Sequence, residues 1–194
     1  EYGMDPGEYF LLMARMEPEN NIETILDGYA KSTTKMPILV VGGTVNKFSK
    51  HLLAKFGEDK RIIFAGGVYD QWKVHCLRSF CRLYFHGHST GGTNPSLLEA
   101  MAGGALIAAH DNVFNRQVLE GNALYFSGPG DITGLVDRLP AGLDAVSMKK
   151  QNLEKILQRY RWPDIIAKYE RFILYCLSVQ KTNAKDILYR RYSG

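Results

Sequence analysis

The feature that most constrains this chain is an alternation. Short, continuously apolar runs recur with turn residues at their ends, and amphipathic stretches of helical length lie between them. The runs are Tyr9–Ala14, Pro37–Val41, Arg61–Ala65, Leu83–His86, Ala105–Ala109 and Ala123–Phe126. They are rich in Ile, Val, Leu, Tyr and Phe without polar alternation, so they read as strands buried on both faces. Between them lie Ile22–Lys31, Asn46–Phe56, Gln71–Cys81, Pro95–Ala102, Asn115–Glu120 and Asp131–Leu139. In the first of these, Ile22, Ile25, Leu26 and Tyr29 recur at helical spacing. The pattern predicts the α/β class: a doubly wound, Rossmann-like parallel sheet of about six strands with helices on both faces. Right-handed crossovers then gather the C-terminal strand ends on one edge, where ligands bind in such folds. After about Asp144 the strand signals stop. Ser147–Tyr160 and Pro163–Ser178 read as a C-terminal helical extension, with Tyr160, Trp162, Tyr169, Phe172 and Tyr175 expected mainly in the core and part of the apolar stripe of the second helix expected to be exposed.

Composition narrows the class. With 45% hydrophobic and 23% charged residues in 194, the chain can bury a core and is not a disordered protein. No apolar run approaches the roughly 20 residues of a membrane-spanning helix. The first residues carry no signal pattern, and three cysteines (Cys76, Cys81, Cys176) make no disulfide framework, which favours a reducing cytoplasm. The cysteines are read as small core residues. From Lys149 onward eleven bases face four acids, a balance of +7, which leaves −3 for the rest. Such a tail is either a solvated helix face or a contact for an anionic surface.

The densest chemical signal is His86-Gly-His-Ser-Thr-Gly-Gly-Thr-Asn-Pro-Ser-Leu-Leu-Glu-Ala-Met-Ala-Gly-Gly104. It reads as a strand end, a glycine-rich loop and a helix, with Asn94 as N-cap, Pro95 in the first turn and Gly103-Gly104 as the stop. Gly91 and Gly92 let the backbone of the loop through Thr93 and Asn94 approach a ligand. The free N–H groups and positive dipole end of the following helix favour phosphate. Glu99, one turn in, suits a sugar's vicinal hydroxyls; otherwise it is a solvated carboxylate. Arg15 follows the first strand as a fixed cation for a diphosphate, or else pairs with Glu17 or Glu19. Gly42-Gly43 and the Gly66–Tyr69 turn, with Gly67, end two further strands. His88 lies in the loop, either as a ligand contact or as a structural hydrogen-bonder. The set His75, Cys76, Cys81, His86 and His88 matches no zinc spacing, so no metal is expected. No Gly-x-Gly-x-x-Gly follows the first strand, and no P-loop lysine follows the glycine pairs, which argues against a nicotinamide dehydrogenase or a P-loop enzyme.

On these residues the chain resembles the C-terminal, donor-binding half of GT-B glycosyltransferases, specifically the retaining group called family 4. Tyr9 to Glu23 resembles that group's first strand and the loop after it. Leu97-Leu-Glu-Ala-Met-Ala-Gly-Gly-Ala-Leu-Ile-Ala108 resembles its Leu-Glu-Ala-Met-Ala-x-Gly-x-Pro-Val-Ile-Ala stretch, and Tyr160 to Tyr169 its closing helix. The resemblance covers about residues 8 to 178. It implies that Glu99 holds the donor's ribose and that Arg15 is the catalytic cation stabilising the leaving diphosphate. Two positions depart: the family's lysine falls at Asn20, and the first Glu of its Glu-x7-Glu motif falls at Gly91. The loop His88 to Asn94 resembles a bacterial subgroup associated with rhamnose and other surface-polysaccharide sugars.

The resemblance further implies a nucleotide-diphosphate sugar as substrate, with no cofactor, and a glycan or lipid-linked acceptor. That acceptor would bind an N-terminal domain absent from this chain, so the fragment alone would be inactive. Residues 1–178 would form the donor domain and 179–194 a basic tail, with possible peripheral contact at the inner membrane face and no nucleic-acid partner. A non-catalytic sugar-nucleotide binding module of the same fold is the alternative. A hydrolase or epimerase is a third reading, for which no paired carboxylates or Ser/His/Asp arrangement stands out.

Overall fold

The structure, a computed structural model, describes residues 3–90 and 92–192, with side chains through Val179. The chain divides into two compact units, residues 1–154 and 155–194. The first holds six strands, β1 (Phe10–Met13), β2 (Ile38–Val41), β3 (Ile62–Gly66), β4 (Leu83–His86), β5 (Ile107–His110) and β6 (Leu124–Phe126). Between and after them run α1 (Ile22–Ala30), α2 (Lys47–Phe56), α3 (Gln71–Phe80), α4 (Pro95–Ala102), α5 (Val113–Leu119) and α6 (Pro129–Asp137). Helix α7 (Ala145–Arg159) starts in this unit, and α8 (Trp162–Tyr192) belongs to the second.

All strand pairs are parallel, in the order β3-β2-β1-β4-β5-β6. The order reverses between β1 and β4, the switch point at which a doubly wound sheet opens a crevice. Side chains alternate across the sheet. Phe10, Leu12, Ile38, Val40, Leu83 and Phe85 join one core cluster, while Leu11, Leu39 and Tyr84 are equally buried outside it. Both faces are covered, as the unbroken apolar runs require. Helix α1 seats on α6 at Gly28, where an added Cβ would collide with the Pro129 carbonyl oxygen and approach Ile132 Cβ to 2.6 Å.

The expected elements all form, with shifts at their ends. Helix α5 begins at Val113, ahead of Asn115, because Asn112 caps it by accepting from Asn115 N at 3.0 Å. Helix α6 begins at Pro129, because the Asp131 carboxylate accepts from Ser127 N (2.8 Å) and Gly128 N (3.1 Å). Helix α8 runs past Ser178 to Tyr192. The aromatics expected in the core there are not: Trp162 is 74% exposed, and Tyr169, Phe172 and Tyr175 are also exposed. Helical periodicity marks an apolar stripe without saying what covers it. Of the cysteines, Cys81 is buried, Cys76 is half-buried and Cys176 is exposed, so only Cys81 is a core residue. No described helix is long and apolar enough to cross a membrane.

Candidate active site

The C-terminal ends of β3, β2, β1 and β4 surround a cleft of about 440 Å³, within the size range of small-molecule sites. Arg15 contributes from the end of β1, Gly42 and Gly43 from β2, and Gly67 to Tyr69 from the turn after β3. His88 follows β4, and Asn94 to Ser96 open α4 on the same cleft.

Arg15 is exposed, and among the described residues it has no ion-pair partner. The pairing with Glu17 or Glu19 does not form, because a short 3-10 turn (Pro18–Asn20) arranges this loop differently. Asn20 is buried and donates through Nδ2 to the Arg15 carbonyl at 2.7 Å. Asn46, which caps α2, donates to the Met16 carbonyl at 2.7 Å and to Glu17 Oε1 at 3.3 Å. Asn21 takes the left-handed conformation at φ 49° and donates to the Gly87 carbonyl at 2.7 Å. The backbone beneath the guanidinium is therefore fixed from three sides, while its head group is free to meet a ligand.

Helix α4 starts as the sequence indicates. Asn94 Oδ1 accepts from Ser96 N at 2.9 Å, satisfying one of the first-turn donors and leaving the helix end toward the cleft. Ser96 Oγ lies 2.9 Å from the hydroxyl of Tyr84, which also donates to the Met13 carbonyl at 3.3 Å. Gly92 and Thr93 lead into the cap but do not line the cleft, and Gly91 falls outside the described residues.

Glu99 does not line the cleft. It sits one turn deeper on α4, with Oε2 2.7 Å from Nη1 of the buried Arg78 of α3. Its side chain is still 55% exposed, so one oxygen is anchored and the other is open. Asn20, buried under Arg15, does not line the cleft either. Arg15, Gly67, His88 and Asn94 are thus brought together, with Glu99 beside them.

Sequence reading did not reach the support under His88. Its carbonyl accepts from Asn112 Nδ2 (3.0 Å) and Asn115 Nδ2 (3.1 Å), while Asn115 also donates to the His110 carbonyl (2.9 Å). Its ring stacks on His86, centroids 4.6 Å apart and planes 12° from parallel. Neither ring nitrogen of His86 has a partner. Burial first, then the neighbouring His88 and Arg78, push His86 down to about 3. Burial and the Arg15 guanidinium hold His88 below the usual histidine range, against the opposing pull of Glu19. Both rings are therefore neutral near pH 7. The Asn112-x-x-Asn115 spacing was the one sequence sign of this support, a cap followed by a second carboxamide on the same turn. Among the described residues no group of three His, Cys, Asp or Glu is placed to hold a metal ion.

Residues 4–145 match the family model for glycosyl transferases group 1. Among curated proteins no sequence matches significantly. Three solved structures share the fold at low identity. The C-terminal domain of a glycosyl transferase group 1 family protein (LpcC) from Francisella tularensis superposes with a TM-score of 0.64 at 16% identity, over 81% of this chain and 88% of that one. Anabaena Alr3699/HepE, solved in complex with UDP, gives 0.70 at 16% identity, over 90% of this chain and 49% of its own. Sucrose-phosphate synthase from Thermosynechococcus elongatus gives 0.73 at 17%, over 90% and 46%. The chain spans about half the length of the latter two.

Proposed function

The chain belongs to the glycosyl transferases group 1 family, and from that premise we propose that it is the donor-binding domain of a retaining, family 4 type glycosyltransferase. The observation that carries the reading is the cleft at the β1/β4 switch point, where an exposed arginine and the start of α4 converge. In this reading the ligand is a nucleotide-diphosphate sugar, in keeping with the UDP bound to the Anabaena relative. Its diphosphate lies between Arg15 and the first turn of α4, where a cation and free N–H groups neutralise negative charge without a metal. The nucleoside extends toward Glu99, whose open carboxylate oxygen accepts from the ribose hydroxyls while Arg78 holds the other.

Chemically such a domain has little covalent work to do. Departure of the diphosphate builds charge at its oxygens, and groups already aimed at that position stabilise the transition state most. Arg15 is suited to this because its backbone is fixed by Asn20 and its head group is unpaired. Asn20, at the position of the family's lysine, acts in this account through the Arg15 backbone rather than on the ligand. The sugar is one of the surface-polysaccharide class that the His88–Asn94 loop suggests, and the acceptor, a glycan or a lipid-linked one, is bound by an N-terminal domain. The reading places the enzyme in the cytoplasm, with peripheral contact at the inner membrane face when the acceptor is lipid-linked.

Full-length protein incubated with uridine, thymidine and guanosine diphosphate sugars and a lipid-linked acceptor tests this. The expected result is acceptor-dependent release of the nucleoside diphosphate, with anomeric configuration retained by NMR. Binding without turnover would support the alternative, a non-catalytic sugar-nucleotide module, to which the departures from the family's lysine at Asn20 and from its first Glu at Gly91 lend support.

A further inference from the structure

His88, which lines the cleft, stacks on the buried His86 beneath it. His86 is 1% exposed with both ring nitrogens unpartnered, and His88 Nδ1 is buried and unpartnered as well. Two unsatisfied imidazoles in contact are costly unless a further state of the site repays them. The His88 ring borders the cleft that holds Arg15 and the start of α4, and two carboxamides pin its backbone.

Several charged groups set the field at this ring. Arg15 acts from the end of β1, and Glu19 acts against it from the 3-10 turn. Arg78 of α3 acts on His86 beneath. His110, whose own field includes Asp111, is linked through Asn112, which lies 3.2 Å from His110 Nδ1 and donates to the His88 carbonyl. Burial weighs most on this ring's charge, and Arg15 and Glu19 act on it in opposite senses. Burial and Arg15 together keep it neutral near pH 7. A diphosphate carrying about two negative charges would offset Arg15 and reverse the sign of the field, favouring the imidazolium.

We propose that His88 takes up a proton from solvent when a nucleotide-diphosphate sugar enters the cleft, and so becomes a second side-chain cation on the diphosphate. This rests on the donor-domain reading and extends it. The neutral His86 ring supports the charged one face to face, as an aromatic face supports a cation. Donor binding then tightens as pH falls, by up to tenfold per pH unit where uptake is complete.

The test is titration calorimetry of the chain with uridine diphosphate glucose, thymidine diphosphate glucose and guanosine diphosphate mannose, in buffers of different ionisation enthalpy between pH 6 and 8. Diphosphate sugars are used because a free nucleoside diphosphate has a terminal phosphate that titrates near pH 6. The slope of observed against buffer enthalpy counts protons. The expected result is uptake of up to one proton in wild type, none in His88→Asn with weaker binding, and persistent uptake in His86→Phe. Folding of both variants is checked by circular dichroism. Saturable binding without uptake in wild type, or uptake that survives in folded His88→Asn, overturns the proposal and leaves the donor-domain reading standing. Absence of binding with all three sugars overturns both.

Discussion

Arg15 combines a fixed backbone with an unpaired head group, so its substitution separates ligand binding from folding. Arg15→Ala should raise the dissociation constant for a nucleoside diphosphate about 10- to 100-fold, the equivalent of one charge-assisted contact of roughly 1.5–3 kcal/mol. Its melting temperature without ligand should stay within about 1–2 °C of wild type, because the side chain is exposed. Paired calorimetry and thermal melts check both halves. His86 makes the opposite kind of prediction, one about stability alone. The unfolded chain binds this proton near pH 6.5, whereas the native ring resists it down to about 3. Stability present above pH 6.5 is therefore lost as pH falls, by up to about 1.4 kcal/mol per pH unit. Urea denaturation of wild type and His86→Phe at pH 7 and pH 4.5 should show the steeper loss in wild type. Equal losses would mean that the ring is not held neutral.

At the scale of elements, the site depends on where strands and helices end. Asn94 both caps α4 and lines the cleft. Asn94→Ala should cost about 1 kcal/mol of stability and weaken diphosphate binding in the same titration. Gly87 is where the β4 end meets the 3-10 turn beneath Arg15, and an added Cβ would run into the Asn20 carbonyl oxygen. Gly87→Ala should cost about 3 kcal/mol, the upper range for overpacking, and displace the Arg15 loop, so that it loses nucleotide affinity as well. Denaturation midpoints with matched binding isotherms check both variants. Much of this level was legible in the sequence, because the strand runs are unbroken and the α4 cap, Asn94-Pro95, is local chemistry. What stayed hidden depended on distance along the chain. The Asn112 and Asn115 clamp on His88 spans 24 and 27 residues, and the Arg78–Glu99 pair joins two helices. Neither leaves a local pattern to read. Asn20 shows the same limit: its place in the loop was visible, but its turn onto the Arg15 carbonyl was not.

For the whole molecule, the sheet order determines the rest. Reversal between β1 and β4 opens one crevice, and the residues singled out in three separate sequence segments, Arg15, Gly67 and His88, meet there. Glu99 stands just outside it, tethered to Arg78. The α8 stripe marks the largest shortfall: its periodicity was right and part of it was expected to be exposed, but Trp162, Tyr169, Phe172 and Tyr175 all are. The central claim is that this crevice binds a nucleoside diphosphate through Arg15 and the start of α4. A thermal-shift titration of the chain with uridine, thymidine and guanosine diphosphates, on wild type and Arg15→Ala, addresses it most directly. At 100 times the dissociation constant a ligand stabilises the folded state by about 2.7 kcal/mol, or roughly 5–10 °C for a domain of this size. The account predicts a saturable rise of that order with at least one nucleotide, much reduced at the same concentration in Arg15→Ala. No shift with any of the three at millimolar concentration, in a chain that melts cooperatively, or an equal shift in Arg15→Ala, would contradict it.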